Sequence, residues 1–236
     1  MKAVINVKGL KKYYRVGDSF VRALDGVDFE IHEGEFCAIV GTSGSGKSTL
    51  LNMLAGLEKP TRGEVVVDGV HMETLKENAL VAFRREHVGF VFQSFNLLGT
   101  MNAEENVALP LAFRGEDRNR RLKKARRMLK LVGLEKYGKH FPNQMSGGQR
   151  QRVGVARALV VDPAIIYADE PTGNLDSKTS ENVMQLMQHI TRDQGKTLVM
   201  VTHDDHLAGY ADRIFHIRDG KIIKVEDHRE KREEKL

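Results

Sequence analysis

Three short stretches carry residue types that do chemistry on phosphate. Residues 41–48 read GTSGSGKS and satisfy G-x-x-x-x-G-K-[ST] in full, with Gly41, Ser43, Gly44, Ser45 and Gly46 ahead of Lys47 and Ser48. Glycine has no Cβ, so backbone N–H groups there can turn inward around phosphate oxygens. Lys47 has the reach for β- and γ-phosphates, and the Ser48 hydroxyl suits Mg2+. The second stretch, IIYADEP, ends an apolar run on Asp169 and Glu170. A strand that delivers a carboxylate to its C-terminal end suits Mg2+ held through water, and the next acid suits an attacking water. Two acids at a strand end are equally ordinary as solvated turn residues; beside residues 41–48 they read as a nucleotide-hydrolysing site. In the third stretch, MSGGQ, Ser146 and the amides of Gly147 and Gly148 form a second anion cradle at a helix N-terminus.

Two isolated polar residues join these by position. Gln93 ends VGFVFQ and His203 follows TLVMVT. Ligands sit beyond the carboxyl ends of strands in open α/β sheets, which favours both as site residues. A satisfied surface histidine is the plain alternative for His203.

The elements that must position these residues alternate between strand and helix. FCAIV (36–40) runs through the glycine loop into TLLNMLAGL, which reads as strand, loop and helix. AIIYAD (164–169) and TLVMVT (197–202) are continuous apolar runs of the kind buried on both faces of a parallel sheet. Val183, Leu186, Met187 and Ile190 recur at helical spacing, so 178–193 is expected to be an amphipathic helix with a core-facing stripe. The segments VINVKGL, VRALDGVDFEI and GEVVVDGV are short and turn-punctuated, and are expected to pair antiparallel. From about 94 to 145 the pattern is mostly helical, and a helical subdomain is expected over about 94–160. The expected fold class is α/β, with an antiparallel β subdomain and an inserted helical subdomain in one domain over 1–225. The stretch 226–236, EDHREKREEKL, has nearly balanced charge and no apolar face, and reads as a charged tail.

Composition narrows the setting. At 236 residues, 41% hydrophobic and 29% charged, the chain is an ordinary globular protein. No apolar run approaches the roughly 18–20 residues that span a bilayer, and no signal-peptide pattern precedes the first strand. The chain is therefore not expected to enter a membrane by itself. Its one cysteine, Cys37, sits in the FCAIV run as a small buried hydrophobe, which fits a cytoplasmic setting. Net charge is +5, and residues 114–127 hold eight basic and two acidic side chains. That stretch reads as a solvated helix face, with a docking surface for something acidic as the alternative.

Taken in order, GTSGSGKS, Gln93, MSGGQ, IIYADE, NLD (174–176) and His203 resemble the ATP-binding-cassette (ABC) family over about residues 4–225. The resemblance implies a P-loop ATPase core. It also implies a pair of subunits lying head to tail, each ATP held between the phosphate loop of one and the SGGQ turn of the other. On that reading Lys47, Ser48 and Thr49 hold phosphates and Mg2+, and Ser146, Gly147, Gly148 and Gln149 serve the partner's ATP. Gln93 contacts Mg2+ or the lytic water, Asp169 is on Mg2+, and Glu170 is the general base. His203 contacts the γ-phosphate and Asp176 crosses the dimer interface. Tyr14 fits the aromatic that stacks on adenine; Tyr13 competes for that role, and core packing is the plain alternative. Met145 stands where leucine is usual, and Thr42 where proline or asparagine is frequent. Neither departure removes a phosphate donor.

VRALDGVDFEI, RREHVGFVFQSFNLL, ENVALPL, DEPTGNLDS and THD further resemble the MacB/LolD-type branch. Its members power macrolide export, lipoprotein release and related complexes. The implied protein is an ATPase subunit on the cytoplasmic face of the cell membrane, bound to a separate integral membrane permease and to a second copy of itself. The alternative is a nucleic-acid- or ribosome-associated ATPase of the same family, supported by residues 114–127. Against it, no sustained heptads interrupt the chain and only one cassette is present, so no nucleic acid is expected as a partner. A nucleotide switch that does not hydrolyse is disfavoured by Glu170 and His203.

Overall fold

A computed structural model describes residues 2–229. Strands β1 (Ala3–Val16), β2 (Ser19–His32), β4 (Arg62–Val67) and β5 (Val70–His71) form an antiparallel sheet in the order β2-β1-β4-β5. The Asp68–Gly69 turn between β4 and β5 has positive φ at both residues, 48° and 77°, the backbone that two-residue hairpins use. The second sheet has six strands in the order β10-β9-β3-β8-β7-β6. Here β3 is Phe36–Val40, β6 Val88–Val91, β7 Ile165–Asp169, β8 Thr197–Thr202, β9 Arg213–Arg218 and β10 Lys221–Asp227. All of its pairings are parallel except β9 with β10.

The continuous apolar runs are explained by burial on both faces. Along β3, Phe36, Ala38 and Val40 enter one core while Cys37 and Ile39 enter the other. The same alternation holds in β7, with Ile166 and Ala168 against Ile165 and Tyr167, and in β8, with Leu198 and Met200 against Val199 and Val201. One core lies under the antiparallel sheet and helix α1 (Lys47–Leu54). The other packs the sheet against α3 (Ala103–Phe113), α4 (Arg118–Leu131), α5 (Gly147–Leu159) and α6 (Ser177–Asp193). Helix α2 (Glu77–His87) precedes β6, and the short α7 (Asp205–Ala208) follows β8. Burial also pushes the Cys37 thiol well above its ordinary pKa, so it is an inert core group.

Three sequence expectations shift in detail. The buried stripe of α6 runs through Ser180, Val183, Met184, Met187, Ile190 and Thr191, leaving Leu186 on its flank. The basic stretch forms α4, and part of its charge is matched: Lys124 pairs with Glu116 and Arg126 with Glu104. The tail reading needs correction where it begins. Strand β10 continues to Asp227, and Arg229 Nη1 lies 2.7 Å from the buried Glu35 Oε1. An edge strand needs no apolar face, because its partner supplies its hydrogen bonds. Residues 230–236 of that stretch lie outside the described residues.

Candidate nucleotide site

The glycine loop leaves the carboxyl end of β3, which sits between β8 and β9 although β6 is the next parallel strand in the chain. This is the switch-point geometry that opens a crevice above an α/β sheet. Loop shape is enforced sterically. Gly46 has φ +101°, and a Cβ there would lie 2.3 Å from the Ala23 carbonyl oxygen. A Cβ on Gly41 would lie 2.2 Å from the Ile217 carbonyl oxygen. Gly46 is also the N-cap of α1, and no side chain caps it. The first amides of α1 are thus free of side-chain competition and carry the positive end of the helix dipole. Ser45 Oγ is buried inside the loop without a hydrogen-bond partner. Lys47 Nζ donates to the carbonyls of Gly41 and Thr42 at 2.8 and 2.9 Å, which holds its ammonium across the loop.

Opposite the loop stand the acids. Asp169 ends β7, and its Oδ1 accepts from Ser48 Oγ at 3.1 Å. Burial, reinforced by the neighbouring Glu170 charge, raises the Asp169 pKa. A cation at this place would relieve both effects. Glu170 has φ +43°, a left-handed conformation uncommon for glutamate. Its amide donates to the Val201 carbonyl at 3.0 Å, and its Oε1 lies 3.1 Å from His203 Nδ1. An open cleft of about 660 Å3 is lined by Gly41, Ser43 and Lys47 on one side and by Glu170 and His203 on the other. Gln93 does not line this cleft. Its side chain packs on Gly173, where a Cβ would be 2.7 Å from Gln93 Nε2, and its carbonyl accepts from Asn174 Nδ2 at 2.9 Å.

The second glycine turn is brought elsewhere. Among the described residues, Ser146, Gly147 and Gly148 line neither this cleft nor the adjoining one of about 410 Å3 beside Thr172 and Ser180. Ser146 Oγ accepts from the Gln149 amide at 3.3 Å, and Gln149 Oε1 accepts from the Ser146 amide at 2.9 Å, a capping box for α5. Asp176 caps α6, its carboxylate accepting from the Thr179 amide at 3.0 Å and from Thr179 Oγ1 at 2.6 Å. The two tyrosines separate. Tyr13 donates to Asp25 Oδ1 at 2.8 Å, whereas the Tyr14 hydroxyl donates to Glu58.

Comparison with known proteins bears on this arrangement. Residues 24–173 match the sequence profile of the family described as ABC transporter. The chain belongs to the ABC transporter family. It is 46% identical over 229 residues to the uncharacterized ABC transporter ATP-binding protein MJ0796 of Methanocaldococcus jannaschii, covering 94% of this chain and 97% of that one. It is 46% identical over 224 residues to the macrolide export ATP-binding/permease protein MacB of Escherichia coli K12. That match covers 95% of this chain but only 34% of MacB. The fold matches a dimeric post-hydrolysis structure of MJ0796 bound to ADP and Pi, with TM-score 0.87, 45% identity and coverage of 94% and 98%. The protein is an ABC ATPase with a P-loop nucleotide-binding core.

Several supports of this ABC site escape the sequence reading. The Gly220 amide, in the turn between β9 and β10, donates to the Ser45 carbonyl at 3.1 Å and so braces the phosphate loop from outside. Its signal in the sequence is the Asp219–Gly220 turn pair, which takes positive φ at both residues. Arg157 of α5 donates to the Phe95 carbonyl at 2.8 Å and to that of Asn96, fixing the backbone after Gln93. Nothing local in VARAL announces that role.

Proposed function

We propose that this ABC ATPase binds Mg-ATP on residues 41–49 and hydrolyses it between two copies arranged head to tail, driving a separate integral membrane permease from the cytoplasmic face. The observation that carries the reading is the division of the site. Lys47, Glu170 and His203 line one cleft and Asp169 is tied to its loop through Ser48, while the SGGQ turn, a second N–H-rich helix start, stands outside that cleft in its own chain. A relative 45% identical is dimeric with ADP and Pi, which supports the same pairing here.

The residues present fit the ligand. Uncapped α1 amides, the unpartnered Ser45 hydroxyl and Lys47 are donors for phosphate oxygens, with Gly44, Gly46, Ser43 and Thr49 completing the cradle. Ser48 and Asp169 offer hard oxygens suited to Mg2+, with Gln93 as a further donor. Among the described residues no cluster of three His, Cys, Asp or Glu could hold a metal, so phosphate oxygens would complete the shell. Mg2+ bound with ATP supplies charge neutralisation for the β- and γ-phosphates. Glu170 accepts the proton of the attacking water, and His203 steadies its carboxylate. Tyr14 stacks on adenine. Ser146, Gly147, Gly148 and Gln149 close over the partner's γ-phosphate, and Asp176 lies at the dimer interface.

No helix among the described residues is long and apolar enough to cross a membrane, and the proposed transporter role assigns the membrane-spanning part to a permease. The helical subdomain, about 94–160 within a domain spanning 1–225, would transmit closure to it. A cleft of about 340 Å3 between α3 and α4, lined by Met101, Leu109 and Leu122 together with Glu105, Arg118 and Arg121, offers a seat for permease helices. The test uses Glu170→Gln with ATP. The variant should bind ATP, lose hydrolysis by about 100-fold or more, run as a dimer, and capture an integral membrane protein from detergent-solubilised membranes. A monomer at saturating ATP sinks the shared-site reading. Nuclease-sensitive capture of ribosomes or DNA, with no membrane protein, sinks the permease.

A further inference from the structure

Tyr14 is held from two sides by residues that neither touch phosphate nor belong to a glycine turn. Its hydroxyl donates to Glu58 Oε2 at 2.5 Å. Lys12 Nζ stands 3.4 Å from the same carboxylate oxygen and 5.0 Å from the centroid of the Tyr14 ring. It also donates to the Lys59 carbonyl at 2.8 Å. Lys12 and Glu58 are both partly shielded, with side chains 17% and 32% exposed. One face of the ring thus carries an ammonium, which leaves the other for a second flat group.

The anchor is itself tied to the phosphate loop. Glu58 follows the end of α1, where the amides of Leu57 and Glu58 both donate to the Asn52 carbonyl, at 2.7 and 3.3 Å. A little further on, Thr61 donates its amide to the Lys11 carbonyl at 2.8 Å and accepts the Tyr13 amide at 3.1 Å. Residues 57–61 therefore bridge the far end of α1 to β1. The near end of α1 carries Lys47, Ser48 and Thr49, so this one helix connects the phosphate cradle to the segment that bonds Tyr14. Desolvation first, and Glu58 second, raise the Tyr14 pKa, so the phenol stays a donor across the physiological range.

We infer that Glu58 and Lys12 are positioning residues that fix the ring of Tyr14 as the adenine platform, at a set place relative to the phosphate cradle. The inference rests on the assignment of Tyr14 to adenine. Its physical content is preorganisation. A half-exposed tyrosine free to swing would lose rotamer freedom on each binding event, whereas one already bonded through hydroxyl and ring face loses little. The benefit falls on the base of ATP and not on its phosphates, which are held by other residues.

The experiment compares ATP with inorganic tripolyphosphate, which lacks the base, by calorimetric binding to the full chain, together with steady-state hydrolysis. Glu58→Ala should weaken ATP binding and raise its KM about five-fold while leaving kcat within about two-fold. Tripolyphosphate affinity should stay within about two-fold. Lys12→Met should do the same to a smaller degree, and Glu58→Gln, which can still accept the hydroxyl, should recover most of the loss. Tyr14→Phe should weaken ATP as Glu58→Ala does, and the double variant should be no worse than either, because both remove one bond. If Tyr14→Ala weakens ATP but Glu58→Ala and Lys12→Met do not, the ring orients itself and the proposal is overturned while the adenine assignment stands. Equal loss of ATP and tripolyphosphate in Glu58→Ala also overturns it, since residues 57–61 would then act on the phosphate loop. If Tyr14→Ala itself leaves ATP affinity unchanged, the assignment falls and the proposal with it.

Discussion

The chain builds two serine–glycine turns at helix starts, and they use glycine for opposite reasons. In the phosphate loop the glycines are conformational: Gly44 and Gly46 sit at φ +78° and +101°, where side chains are strained. At the SGGQ turn neither Gly147 nor Gly148 has positive φ, and the need is for space. A Cβ on Gly148 would lie 2.4 Å from Thr179 Cγ2, and one on Gly147 3.1 Å from Leu175 Cδ2. The donors differ as well. The start of α1 has no side-chain cap, whereas the start of α5 is satisfied by its own capping box through Ser146 and Gln149. One turn is kept open for a ligand by its backbone. The other is at rest in its own chain, and under the proposed shared site it would exchange a local bond for a ligand from outside.

The comparison breaks hardest at Gly46. Gly46→Ala places a side chain at φ +101° and within 2.3 Å of the Ala23 carbonyl oxygen, so the loop must move. ATP binding should be lost and hydrolysis should fall about 100-fold or more. Retained turnover, with ATP affinity unchanged by calorimetry, would show that the loop tolerates another backbone and would remove the conformational half of the contrast. Gly148→Ala sharpens the other half. Its backbone accommodates alanine, but Thr179 cannot swing away freely because its Oγ1 is bonded to Asp176. The monomer should still bind ATP with affinity within about two-fold, lose about 1 kcal/mol of stability, and hydrolyse at least about ten-fold more slowly. Adding Thr179→Ser, which deletes Cγ2 and keeps the hydroxyl, should restore the melting temperature and leave hydrolysis low. Recovery of both would mean that Gly148 serves packing within the chain and not a ligand across a dimer.

How far the sequence shows all this depends on how local the cause is. Strands β3, β7 and β8 are legible because burial on both faces leaves uninterrupted apolar runs, and the phosphate loop because its spacing is set by one ligand. The antiparallel strands β1, β2 and β4 are legible from their turns. The β9–β10 hairpin is harder to see: RIFHIR and KIIKVED flank Asp219–Gly220, but each sets two apolar residues side by side, and charge masks a strand that pairs at a sheet edge. That matters for the site, because Gly220 braces Ser45. Long-range partners leave even less trace. Arg157 reaches Phe95 across 62 positions and Glu58 reaches Tyr14 across 44, and neither separation carries a periodicity that a linear reading can detect.

The contrast between an open and a satisfied turn also predicts opposite signs for two small changes in stability. Ser146→Ala removes the oxygen that caps α5 and should destabilise the nucleotide-free chain by about 0.5–2 kcal/mol. Asp169→Asn should do the reverse. Burial and the Glu170 charge raise the Asp169 pKa, so its ionised form costs the empty fold free energy, and an amide of the same shape relieves that cost while still accepting from Ser48. A carboxyl with a raised pKa lets stability drain away as pH rises through its folded-state value. The gain from asparagine should therefore be full at pH 7, about 2–4 °C in melting temperature. It should vanish below about pH 3, under the ordinary aspartate value, where the acid is protonated folded and unfolded alike. The same variant should lose Mg2+-dependent hydrolysis. Scanning calorimetry at the two pH values decides the matter: a melting temperature lowered at pH 7 would mean that Asp169 is a satisfied structural carboxylate, and that the phosphate-loop side of the molecule is as much at rest as the SGGQ side.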